Sequence, residues 1–336
     1  MALALLVVVC LLAAAFTVLN GVRDASAAVA LAVRTRALTP TVAVVLAGAF
    51  NLLGAALSGG FALSLHDQLF VLRAGPEGLT ILLGAFLAAS IWGAWQWRIG
   101  YPSSSTHGLI GGIAGAAGAS LLKGYPPMVG LGDTLVVVVV LPLLISPILA
   151  FVLSYLLVYP VMWLSRYAQP NSINRRFRRA QAVATTAVAF GHGLQDGSRV
   201  AALMVFAFIA VGVPATGSLL WVFTVLAGVF LCAGTLLGGW RISYMLSERL
   251  VRVDPLRGLV SQVVSATMLL LGGIALHLPL ATTQLTTASV IGVGTTHRLM
   301  AANWRLTLKI VSNWLLTPVV CALGAAIFYL ALSPLI

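Results

Sequence analysis

The chain reads as an all-α, polytopic integral membrane protein with two inverted structural repeats, each containing a broken motif helix and a re-entrant hairpin. Three observations lead there. Of 336 residues, 60% are hydrophobic and only 8% charged, at a mean hydropathy of +1.06, a composition that excludes a water-soluble enzyme. The apolar residues fall in runs, several of which approach the roughly 20 residues a helix needs to cross the hydrocarbon layer. Finally, the sequence resembles itself at offsets of about 172 to 180 residues, the mark of a duplicated scaffold.

Taken in order, residues 1–19 are apolar with no Lys or Arg ahead of them and run on through a polar kink, which predicts a first span rather than a cleaved leader. Further apolar stretches lie at 41–62, 79–97, 108–121, 132–164, 181–190, 199–213, 219–240, 258–275, 285–294 and 309–334. Several are too short to span alone and adjoin turns of Gly, Pro, Ser or Thr. Non-helical backbone survives at membrane depth only inside protein or against a water-filled cavity.

The net charge of +12 comes from 19 Lys and Arg against 7 Asp and Glu. In a membrane chain this excess collects in cytoplasmic loops, so nucleic acid is not an expected partner. Arg166, Arg175, Arg176, Arg178 and Arg179 form an acid-free connector, and Arg241 to Arg257 is also net basic, so both are expected on the cytoplasmic side. Leu63 to Gly78 sets Arg73 against Asp67 and Glu77 and fits the outside. The domain reading is a first repeat at 1–165, a basic cytoplasmic connector at 166–180 and a second repeat at 181–336, in a multi-pass protein of the cell inner (plasma) membrane. Cys10, Cys232 and Cys321 sit in apolar runs without metal or disulfide spacing.

The repeat has three colinear matches. Asn20-Gly21-Val22-Arg23-Asp24-Ala25-Ser26 matches His192-Gly193-Leu194-Gln195-Asp196-Gly197-Ser198. Leu46-Ala47-Gly48-Ala49-Phe50 with Gly54 and Gly59 matches Leu226-Ala227-Gly228-Val229-Phe230 with Gly234 and Gly239. Pro102-Ser103-Ser104-Ser105-Thr106-His107 pairs with Pro279-Leu280-Ala281-Thr282-Thr283-Gln284. Paired broken segments place a binding site where the halves meet, near the bilayer midplane.

Two of the acids, Asp24 and Asp196, are embedded in apolar sequence at equivalent places in the repeat. An ionisable side chain there costs about 2.5 to 3.5 kcal/mol even on insertion scales, so it marks an ion or substrate path. The plainer alternative is that each pairs with Arg23 or Arg199 to fix helix packing. Both Pro-led runs have the character of helix starts: Pro suits the first turn, and Ser and Thr cap free N–H groups. A helix N-terminus binds anions without Lys or Arg, and Ser103, Ser104, Ser105, Thr106, Thr282 and Thr283 would add hydroxyl donors. The plainer alternative is hydrogen bonding between helices. His107 and Gln284 follow at matched positions as supports. No nucleophile elbow accompanies them, and the chain is not read as an enzyme. His66, His277 and His297 show no metal spacing. Trp95, Trp97, Trp240 and Trp304 suit interfacial anchoring.

These residues resemble the inorganic phosphate transporter family known as PiT, whose halves each carry a Gly-x-Asn-Asp signature and a Ser/Thr-rich hairpin ending in His. Gly21 to Asp24 and Gly193 to Asp196 stand at the first pair, Pro102 to His107 and Pro279 to Gln284 at the second. Thr35 to Pro40, and Ser289 to Gly294 with Arg298 and Trp304, also resemble the family. The resemblance implies a secondary transporter importing inorganic phosphate with Na+ or H+ by alternating access. Asp24 and Asp196 would serve the cation, Na+ being the only ion in a cofactor-like role, and the hairpins would serve the anion. Arg23, Asn20, His107, His192 and Gln284 would support them.

The chain departs from that pattern. Arg23 and Gln195 replace the signature Asn residues, and Ala281 and Gln284 replace the usual Ser and His. An Asn carbonyl can ligate Na+, whereas Arg carries donors only; Gln195 could still ligate through a longer arm. Arg23 could supply a fixed charge beside Asp24 or pair elsewhere. The alternatives kept are transport of sulfate or another small oxyanion on the same scaffold, and a membrane sensor or scaffold without transport. The partners implied are phosphate or sulfate, Na+ or H+ and the lipid bilayer, with a homo-oligomer left open.

Overall fold

A computed structural model describes residues 2–59, 74–125, 140–214, 216–296 and 302–335, and the described residues are helical with no strand among them. Asp67, Arg73, Asp133, His66, His297 and Arg298 lie outside them. The first half contains α1 (Ala2–Arg34), α2 (Pro40–Ala56), α3 (Pro76–Ile99), α4 (Ser105–Leu122) and α5 (Leu141–Ser165). The second contains α6 (Pro170–His192), α7 (Ser198–Ala210), α8 (Gly217–Leu237), the short α9 (Trp240–Tyr244), α10 (Pro255–Leu270), α11 (Thr282–Thr295) and α12 (Trp304–Leu332). Among the described residues, 7 helices are long and apolar enough to cross a membrane.

Local chemistry sets the boundaries. Pro opens α2, α3, α6 and α10, where its missing N–H is not needed. Ser104, Thr216, Asp254 and Asn303 cap α4, α8, α10 and α12 through side-chain oxygens. Gly100, at φ 78, ends α3 in the left-handed conformation, and non-helical backbone leads from it to α4. The same arrangement precedes α11, which at 14 residues is about 21 Å long and short of a hydrocarbon layer of roughly 30 Å.

Two details differ from the sequence reading. The motif at Asn20 to Ser26 does not kink α1, which runs unbroken to Arg34. The stretch 181–190 and the 199–210 part of 199–213 belong to one 41-residue helix, Pro170–Ala210, with the second motif on a π-helical turn at Gly193–Gly197. The backbone breaks instead before the two hairpin helices. Most of the basic connector is the start of α6, because Pro170 sets the first turn and Arg and Ala propagate it.

The halves interlock. A Cβ at Gly21 of α1 would stand 2.4 Å from the Leu231 carbonyl oxygen, and one at Gly234 of α8 would stand 2.0 Å from that of Val18. The repeat-exchanged contact occurs between α2 and α6: Gly54 lies against the Phe190 carbonyl and Gly193 against that of Asn51, each at 2.1 Å from the would-be Cβ. Small residues let backbones touch, as is usual where membrane helices associate. The hairpin helices are exchanged too. Helix α4 packs on α12, the last helix of the other half, through Gly111 against Pro318 and Gly115 against Ala322. Helix α11 packs on α5 through Gly292 against Phe151 and Ser154. This is the contact pattern that two related halves would make.

Basic ends gather at one end of the molecule. Arg34 pairs with Glu248 at 2.9 Å, Arg241 donates to the Arg98 carbonyl, and Thr35 donates to Gln181 in the middle of α6. Exposed apolar side chains such as Leu308, Leu315, Leu323 and Ile327 line the outside of α12.

Candidate functional site

The two motif acids meet. Asp24 on α1 and Asp196 on the π-turn are each 3% exposed, and His192 stands between them, its Nε2 3.7 Å from Asp24 and 3.5 Å from Asp196. The hairpins reach the acids: Ser105 Oγ donates to Asp196 at 3.0 Å and reaches Asp24 at 3.4 Å, while Thr283 Oγ1 donates to Asp24 at 2.6 Å. Asn20, the repeat counterpart of His192, donates to Asp196 at 2.5 Å. Each half therefore binds the other's acid.

His192 Nδ1 lies 2.9 Å from Asn51 Oδ1, and Asn51 Nδ2 donates to Thr235. An amide oxygen only accepts, so Nδ1 carries the hydrogen and Nε2 faces two carboxylates. A proton on Nε2, or a cation beside it, is what these groups can share. Asp24, His192 and Asp196 offer ligand atoms within 4.8 Å of one another. Asn20 Oδ1 is buried without a hydrogen-bond partner, and such an oxygen suits a hard cation.

The remaining residues divide between clamp and cradle. Arg23 makes no ion pair with Asp24 among the described residues; its Nη2 donates to Ser103 O and Oγ, each at 2.6 Å. Gln195, expected as a cation ligand, turns away from the acids. Its Nε2 donates to Leu278 O at 3.2 Å and its Oε1 accepts from Leu280 N at 3.2 Å. The equivalent positions 23 and 195 thus each hold the hairpin of their own half, because a longer arm overshoots the acids and meets the unpaired backbone there. Asp196 does pair with Arg199, its Oδ1 lying 2.9 Å from Arg199 Nη2.

Ser104 is the cap of α4, accepting from His107 N at 3.1 Å with His107 Nδ1 at 2.8 Å, and Thr106 accepts from Arg199. At α11 no side chain caps the helix start, and the buried Thr282 Oγ1 has no partner. A buried helix end left open in this way is what a ligand completes. His107 and Gln284 lie apart from the acids, where they line a mostly apolar cavity of about 890 Å³ bounded by α4, α5, α11 and α12.

Asn51 and Arg199 were missed as site residues by the sequence reasoning. Asn51 is the only amide in the apolar run of α2, which is the signal that could have found it. Arg199 was visible only as a partner of Asp196.

A helical membrane body whose two halves close over a sealed polar cluster has the construction of a membrane transporter. The family model described as phosphate transporter family matches residues 20–170 and 165–325, and the chain belongs to that family. It is 31% identical over 336 residues to a Bacillus subtilis (strain 168) protein named "Probable low-affinity inorganic phosphate transporter", covering 98% of this chain and 97% of that one. A Mycobacterium leprae (strain TN) protein of the same name is 32% identical over 330 residues, covering 97% of this chain and 78% of the other. A solved structure described as "The sodium-dependent phosphate transporter" superposes with a TM-score of 0.87 at 22% identity, covering 99% of this chain and 100% of that one. That likeness shows the fold.

Proposed function

We propose that the protein imports inorganic phosphate together with Na+ or H+, by alternating access between the halves 1–165 and 181–336, across the plasma membrane with the basic connector 166–180 on the cytoplasmic side. The observation that carries this reading is the convergence of Asp24 and Asp196 in one buried cluster on which both hairpins act, through Ser105 and Thr283. In this reading Asp24, Asp196 and Asn20 hold the cation, with His192 as the group that takes a proton if H+ serves. The open N-terminus of α11, Thr282 and the hydroxyls of the first hairpin hold the oxyanion. The names of the relatives favour phosphate over sulfate, and the neighbour's description favours Na+. Purified protein in liposomes tests it: saturable uptake of labelled phosphate, driven by an imposed Na+ or proton gradient and weakly competed by sulfate, is the expected result. Absence of saturable uptake sinks the reading, and equal competition by sulfate moves it to oxyanions in general.

A further inference from the structure

We propose that Arg199 binds the anion and that its ion pair with Asp196 makes anion binding depend on the coupling cation. This rests on the transport reading above and names the residue through which the two solutes sense each other.

Arg199 is 5% exposed and touches every part of the site that must respond. Its Nη2 lies 2.9 Å from Asp196 Oδ1 and donates to Leu280 O of the second hairpin at 2.8 Å, while Nη1 donates to Thr106 of the first. Its Nε is buried without a partner. Arg23, the buried guanidinium on α1, also leaves its Nε unpartnered, but its hydrogen bonds go to the first hairpin alone. Arg199 is therefore the cation at the junction of both hairpins, and a guanidinium presents the planar fork of donors that suits a phosphate oxyanion.

With no solute bound, Asp196 occupies that charge. A cation arriving at Asp196 competes for the same carboxylate and frees the guanidinium to face an anion. An anion arriving first leaves Asp196 uncompensated in a buried place, which draws the cation. Each solute raises the affinity of the other by the same factor, as linkage requires. No charge needs to cross the site for this, since the guanidinium has only to turn from one oxygen to another.

Phosphate binding to purified protein is the measurement, with Na+ varied from zero to saturation and pH varied in parallel. For the wild type, the cation should raise phosphate affinity by roughly tenfold to a hundredfold. Arg199→Gln should lose phosphate binding at every cation level while eluting as folded protein. Asp196→Asn should bind phosphate without added cation about as tightly as the wild type does with it, although coupled uptake is lost. Arg199→Lys, which keeps the charge but not the fork, should fall between; if Arg199→Gln fails to fold, Arg199→Lys carries the test, and wild-type affinity in it overturns the proposal. Should Asp196→Asn fail to fold, Asp196→Ser replaces it. Normal phosphate affinity in Arg199→Gln, or cation-dependent binding in the Asp196 variants, overturns the proposal while leaving transport by the wild type intact. Failure of the wild type to take up phosphate overturns the functional reading itself.

Discussion

Positions 23 and 195 each hold the hairpin of their own half, Arg23 through Ser103 and Gln195 through Leu278 and Leu280. Asp24 and Asp196 were legible as candidate site residues because an acid in apolar sequence is expensive and two at equivalent places are hard to attribute to packing. Where Arg23 and Gln195 point was not legible, since reach along a side chain depends on the distance to a backbone break that sequence does not reveal. Arg23→Asn restores the family residue and separates clamp from ligand. The shorter amide cannot span to Ser103 O, and loss of a charge-assisted hydrogen bond worth about 1.5 to 3 kcal/mol should lower phosphate uptake by roughly tenfold or more. The Na+ concentration at half-maximal uptake should stay unchanged, because the side chain removed holds Ser103 and supplies no ligand to the cation. A shifted sodium dependence would place position 23 in the cation site.

At the scale of elements, the exchanged contacts rest on glycines. The repeat singled out Gly54 and Gly234 as matched positions, but sequence could not say that each abuts the backbone of the other half. Nor could it separate a break from a continuous helix at the motifs: short apolar runs around Gly and Asp read as interruptions, whereas a π-turn absorbs the second motif within Pro170–Ala210. Gly54→Ala would place a methyl 2.1 Å from the Phe190 carbonyl oxygen, a clash with backbone that side-chain movement cannot relieve. Overpacking of this kind costs about 1 to 3 kcal/mol, so Gly54→Ala and Gly234→Ala should melt at clearly lower temperature or fail to be recovered from the membrane. Gly118→Ala is the control, having nothing within 4 Å of its would-be Cβ. Equal melting of all three in thermal scans would show that the α1–α8 and α2–α6 crossings are not close.

For the whole molecule, low charge and long apolar runs made the membrane class legible, while the interlocking of the halves was not, because the pairing of α4 with α12 and of α11 with α5 joins segments far apart in sequence. The consequence is that neither half can bury its own hairpin helix. Residues 1–168 would leave α4 without the Pro318 and Ala322 backbone that Gly111 and Gly115 approach, and residues 169–336 would leave α11 without Phe151 and Ser154. The chain between Ala168 and Gln169 is the natural place to divide it: both residues are exposed and precede the first turn of α6, and such a site tolerates cutting. Expressed together, the two pieces should purify as one complex through a tag on either and retain phosphate uptake in liposomes. Expressed singly, each should be degraded or aggregate, since its Gly-lined helix face has no partner in lipid. Recovery of either piece alone as stable, monodisperse protein would mean that the halves fold independently and that the exchanged packing does not hold the transporter together.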